Sequence, residues 1–119
     1  MKRALLLAAL LATAPAIAQE WPRRNTAELQ ALDKVTARVS TFNATVGTPV
    51  RFGTLTILVR ACHARPAEDV PDAAAWLEIT DERAAPDAPP AFRGWMFASA
   101  PGVHTLEHPV YDIRVLECR

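Results

Sequence analysis

Past residue 18 the sequence holds one lysine, Lys34, and no run of basic residues longer than Arg23-Arg24. A phosphate backbone is gripped by a stripe of lysine and arginine, so nucleic acid is not an expected partner. There are only two cysteines, and no Cys-x-x-Cys spacing that would lower a thiol pKa for redox work. Ser99 has no Gly-x-Ser-x-Gly elbow around it, which removes the usual signature of an activated serine. No long helical period and no internal repeat runs through the chain, and 119 residues leave room for one domain.

What is present begins with an export pattern. Lys2 and Arg3 precede an apolar run from Ala4 to Leu11, and Ala16-Ile17-Ala18 supplies small residues where a signal peptidase cuts. The run is too short to span about 30 Å of hydrocarbon, and Pro15 sits near its end. Residues 1–18 are therefore expected to be a signal peptide cleaved after Ala18, leaving a periplasmic chain with no stable membrane insertion. No cysteine follows Ala18 to carry a lipid. The whole chain has 13 basic and 13 acidic residues; without Lys2 and Arg3, 11 basic stand against 13 acidic.

In an oxidising compartment the two cysteines read as one disulfide, Cys62–Cys118. By the chain-entropy model, closing a loop of about 57 residues contributes about 4 kcal/mol. That is a large share of a small domain's stability.

Residues 19–31 read as a mobile leader, in which Asn25 and Glu28 permit a short helix over Ala27–Leu32. From Lys34 the alternation is that of β-structure. Val35, Ala37 and Val39 share one parity and Phe42, Ala44 and Val46 the other, which predicts a strand break near Thr41. Gly47-Thr48-Pro49 is a turn. Thr54–Cys62 is the strongest strand, with Leu55, Ile57 and Val59 on one face. Ala73–Thr80 follows, with Ala75, Leu77 and Ile79 opposite in phase to Trp76. Phe92–Ser99 and Val110–Cys118 complete the set. Proline-rich stretches at 63–72 and 81–90 are exposed loops. Residues 32–119 are thus expected to form an all-β domain, a small β-sandwich or barrel stapled by one disulfide. Strand parity also places Cys62 opposite Leu55, Ile57 and Val59, and Cys118 opposite Tyr111, Ile113 and Val115. Both sulfurs are accordingly expected on the face turned away from the main core.

Among motifs with chemistry, His104-Thr105-Leu106-Glu107-His108 matches the H-x-x-E-H pattern of a zinc peptidase. That chemistry needs a helix, and Pro101-Gly102 and Pro109 forbid one here. A looser metal site would combine His63, His104, His108 and Asp112 across space. Asp112 and Arg114 otherwise make a charge pair on a solvated strand face. No catalytic residue, metal or cofactor is expected. Gly94-Trp95-Met96-Phe97 carries bulk on both parities, so the strand is either core on both sides or keeps one face for a partner.

Leu32-Asp33-Lys34-Val35-Thr36, Phe52-Gly53-Thr54-Leu55, Arg60-Ala61-Cys62, Gly94-Trp95-Met96-Phe97-Ala98-Ser99 and Glu107-His108-Pro109-Val110-Tyr111-Asp112 together resemble the bacterial envelope family catalogued as domain of unknown function 2155. The likeness runs from Leu32 to Cys118. The chain departs from the family pattern at Ala37, where the pattern has glycine, and at Ala100 and Gly102. The resemblance implies export and supplies no activity. The expected role is a non-enzymatic periplasmic domain that binds or scaffolds another envelope protein or a peptide, using Trp95, Phe97, His108, Tyr111 and Asp112. The alternative is a small envelope enzyme or metal-binding protein built on His104, His108 and Asp112.

Overall fold

The structure, a computed structural model, describes residues 20–119; the expected signal peptide lies outside them. Seven strands follow in order: β1 (Thr26–Asp33), β2 (Arg38–Thr45), β3 (Val50–Phe52), β4 (Leu55–Ala64), β5 (Ala73–Asp81), β6 (Phe92–Phe97) and β7 (Tyr111–Cys118). They form an all-β sandwich of a three-stranded sheet, β2-β1-β7, and a four-stranded sheet, β3-β4-β5-β6. Every pairing within the two sheets is antiparallel. The chain changes sheet between β2 and β3 and returns between β6 and β7. Neither sheet could bury its apolar face alone, and together they enclose one core. Ala27, Leu29, Ala31, Ile113 and Val115 supply it from one side, and Leu55, Ile57, Val59, Ala75, Leu77, Ile79 and Met96 from the other.

The first correction concerns residues 27–32. They are strand β1, not a helix, and Trp21–Arg24 before them are docked rather than loose. Arg23 bridges His63, the Arg24 amide donates to the Cys62 carbonyl at 2.8 Å, and the Ala64 amide donates to that of Pro22 at 3.0 Å. The composition of Thr26–Asp33 favours helix, yet Ala27, Leu29 and Ala31 also alternate with Glu28 and Gln30. Ladders on both sides, to β2 and β7, decide for strand.

The second correction is the expected break at Thr41. β2 pairs with β1 without interruption from Arg38 to Thr45. Ser40, Phe42 and Ala44 turn inward, whereas Val35 and Val39 are 77% and 57% exposed. The apparent change of parity arises because Val35 belongs to the hairpin loop and Val39 to the solvent face.

The third correction concerns the disulfide. Cys62 and Cys118 are bonded, with Cα atoms 5.6 Å apart. They join β4 of one sheet to β7 of the other, and both lie in the core at 1% and 4% exposure. Each strand carries a one-residue bulge just before its cysteine. On β4, Val59 faces Leu77 while Ala61 already faces Trp76, so Arg60 is the extra residue. On β7, Val115 faces Leu29 while Glu117 faces Glu28, so Leu116 is extra. One inserted residue moves everything after it to the opposite face. Both sulfurs therefore turn into the core that parity alone denied them.

Candidate functional site

Inward and outward residues alternate cleanly along β5 and β6. Ala75, Leu77 and Ile79 on β5, and Gly94 and Met96 on β6, are buried. The intervening positions put Ala74, Trp76 and Glu78 beside Phe97, Trp95 and Arg93 on the outer face. Beyond its bulge, β4 adds Ala61 opposite Trp76 and His63 opposite Ala74. The docked segment contributes Trp21. The Phe92–Phe97 strand is thus not core on both faces: Met96 is buried, and Trp95 and Phe97 stand half-buried on the outer face.

On this face the Trp95 ring meets Trp76 edge-on at 5.8 Å and His63 edge-on at 5.9 Å. His63 Nδ1 donates to the Trp21 carbonyl at 3.0 Å, which fixes the imidazole and holds Trp21 in place. The Arg65 guanidinium lies 5.1 Å over the Trp21 ring, in reach of a cation–π attraction. Trp21, His63, Ala74, Trp95 and Phe97 line an apolar hollow of about 240 Å³. Beside it, Glu78 accepts from Arg60 at 3.0 Å and also pairs with Arg93 at 3.4 Å. The hydrogen bond from Arg60 comes first among the causes that hold the Glu78 carboxyl below its ordinary pKa.

His108 and Tyr111 belong to a different place, at the far end of β5. His108 Nε2 donates to Asp81 at 2.7 Å, while Nδ1 accepts from the Val110 and Tyr111 amides at 3.0 and 3.1 Å. Two amide donors fix Nδ1 as the acceptor and leave the proton on Nε2. Both ring nitrogens are engaged, so this imidazole has no free lone pair to offer a substrate. It pins the start of β7 to the end of β5. The His108 bond, then the Arg83 amide and the Thr54 side chain, lower the Asp81 carboxyl from its ordinary 3.8 to about 2. The Tyr111 ring lies 5.2 Å from His108 and 5.5 Å from Phe52.

Asp112 projects from the outer face of the three-stranded sheet, where β7 places it opposite Leu32 of β1. His104 donates from Nδ1 to the Trp95 carbonyl at 3.0 Å and so steadies the 100–109 connection against the edge of β6. His104, His108 and Asp112 therefore serve three separate surroundings. Among the described residues no group of three or more His, Cys, Asp or Glu side chains is placed to hold a metal ion.

The five expected binding residues thus divide, and only Trp95 and Phe97 share a surface with the hollow. Sequence reasoning missed Trp21, His63, Arg60, Arg65 and Arg93 as their neighbours. Only Trp76 carried a signal, its parity opposite to Leu77.

A family model described as an uncharacterized protein conserved in bacteria, domain of unknown function 2155, matches residues 27–118. The chain belongs to this family. The match takes in all seven strands except the first residue of β1, while Trp21 precedes it. The chain is also 27% identical over 99 residues to an uncharacterized protein of Rickettsia prowazekii (strain Madrid E), covering 83% of this chain and 64% of that relative. It thus spans a little under two thirds of the relative's length. No solved structure matches.

Proposed function

We propose that this chain is an exported, non-enzymatic periplasmic domain that binds another cell-envelope component through the outer face of β4, β5 and β6. One observation carries the reading. All three tryptophans of the sequence, Trp21, Trp76 and Trp95, gather on that face with Phe97, outside the packed core. Tryptophan on a sheet surface costs solubility unless something covers it, and it is the residue most enriched where binding energy concentrates. The export pattern and the core disulfide suit an oxidising compartment. The His108–Asp81 pair, with both imidazole nitrogens occupied, supports a structural role for the motif that would otherwise suggest hydrolysis.

In-cell cross-linking followed by affinity capture of the exported chain and mass spectrometry tests this. The expected result is a reproducible envelope partner that is lost with Trp95→Ala or Phe97→Ala while the thermal midpoint stays near that of the parent. Recovery of the monomer alone, or a partner retained by both variants, overturns the reading.

A further inference from the structure

The hollow has a charged rim that the linear sequence hides. Arg23 stands opposite His63 in an antiparallel bridge, so its side chain shares the outer face. Arg65 covers Trp21, and Arg60 and Arg93 flank Trp76 and Trp95 through their shared partner Glu78. Four guanidiniums, Arg60 of β4, Arg65 just after it, Arg93 of β6 and Arg23 of the docked segment, therefore share the outer face with one apolar hollow. The carboxylates that face them are Glu78 and, beside Arg65, Asp72. Asp72 is already committed, accepting from the Ala73 and Ser99 amides and from the Ser99 hydroxyl. The positive excess is local, because the chain beyond residue 18 has 11 basic against 13 acidic residues.

We infer that the occupant of this face is an acidic peptide segment of a partner protein, with one large apolar side chain seated among Trp21, His63, Ala74, Trp95 and Phe97. The inference rests on the proposed binding role and specifies its chemistry. Charge complementarity selects the acidic segment: Arg23 and Arg65 border one part of the face, and Arg60 and Arg93 another. Flanking carboxylates of the peptide would meet the guanidiniums of Arg23 and Arg65, suited to bidentate pairing, while Arg60 and Arg93 already share Glu78. The size of the hollow, about 240 Å³ between aromatic walls, selects the anchor. It takes a single side chain, not an acyl layer or a run of stacked bases. Such a site gains its on-rate and partner choice from the arginines and its residence time from the buried anchor.

A random peptide library selected on the exported chain tests this. The expected winners carry Asp or Glu on both sides of a Phe, Trp or Leu. The best of them, synthesised and titrated, should shift the intrinsic fluorescence, since every tryptophan of the protein borders the site. Replacing its anchor by Ala should weaken it about tenfold or more. Raising salt from about 0.05 M to about 0.5 M should weaken it several-fold. Arg23→Glu, at an exposed position, should weaken it without moving the unfolding midpoint, which guards against a Trp95 variant that simply unfolds. Winners without acidic excess, salt-independent binding, or no winners at all overturn the inference. So does equal Trp95-dependent binding of anionic phospholipid vesicles or a single-stranded oligonucleotide. If capture in cells still yields a Trp95-dependent partner in any of these cases, the binding role stands and only its acidic chemistry falls.

Discussion

The molecule has two aromatic clusters, and they are built on opposite terms. Phe42, Phe52, Phe92 and Tyr111 pack against the core. Phe42 stacks on Phe52 at 6.0 Å, Phe52 meets Tyr111 edge-on, and Tyr111 lies against His108. Phe42, Phe52 and Tyr111 each have a ring neighbour there, and both ring nitrogens of His108 are paired. Trp21, Trp95 and Phe97 lie on the outer sheet face around a hollow, with Trp76 beside Trp95 and Arg65 over Trp21. The first cluster packs against the core, and the second borders an open hollow on the outer face. Aromatic content alone says nothing of purpose; what separates a staple from a docking face is whether the protein completes the contacts.

The sharpest way to break that contrast is to truncate one ring from each cluster. Tyr111→Ala should cost about 3 kcal/mol, because it empties space walled by Phe52, His108 and Gly53. Trp95→Ala should cost about 1 kcal/mol, chiefly its edge contacts with Trp76 and His63. Urea titrations of both variants decide it, and equal losses would mean that the outer cluster is structural. Next in size is Gly53→Ala. Gly53 has φ +56°, and a methyl group there would run into the Tyr111 ring. Strain and displacement together should cost about 2 kcal/mol, again as a lowered urea midpoint.

The Asp81–His108 pair gives the closed end a signature in pH. Asp81 has its carboxyl lowered to about 2 in the folded chain. Its contribution is therefore complete above the ordinary 3.8 and is lost as pH falls toward and through about 2. Asp81→Asn should lower stability at neutral pH by about 1 kcal/mol, since the bonds from His108 and Arg83 lose their ionic partner. The gap between parent and variant should close as the solution is acidified. Thermal midpoints recorded from neutral pH to about 2 test this, and a gap constant across that range would remove Asp81 from the account.

How much of this was legible depended on whether two-residue periodicity survived. β4 and β5 were plain because Leu55, Ile57, Val59, Ala75, Leu77 and Ile79 alternate without a fault over the readable part. β1 was misread because Ala, Glu, Leu and Gln favour helix, and only partners far along the chain, β2 and β7, overrule them. The bulges at Arg60 and Leu116 left no mark, since an extra residue looks like any other until the neighbouring strand is known. Both cysteines were consequently assigned to the wrong face. The site followed the same logic. Trp95 and Phe97 were visible because bulk fell on both parities of one strand. Trp21 and the four arginines were not, because they are assembled only when β4, β5, β6 and the docked segment come together.

The smallest expected effect concerns the loop joining β1 and β2, and it has the opposite sign. Asp33 pairs with Arg38, so Lys34–Ala37 form a four-residue hairpin loop. The Asp33 carboxylate turns its start by accepting from the Val35 amide at 2.9 Å and the Thr36 amide at 3.2 Å. The loop then has to close through Ala37, at φ 56°, the one residue other than glycine with positive φ among those described. An alanine in that conformation presses its Cβ against the backbone, a cost that glycine avoids. Ala37→Gly should therefore raise stability by about 0.5 kcal/mol, the relief of strain outweighing the greater freedom glycine gives the unfolded chain. Ala37 is exposed and sits in a hairpin of the other sheet from β4, β5 and β6, so peptide binding should not change. A urea titration that shows a loss instead would mean that the unfolded chain's entropy outweighs the strain in this turn.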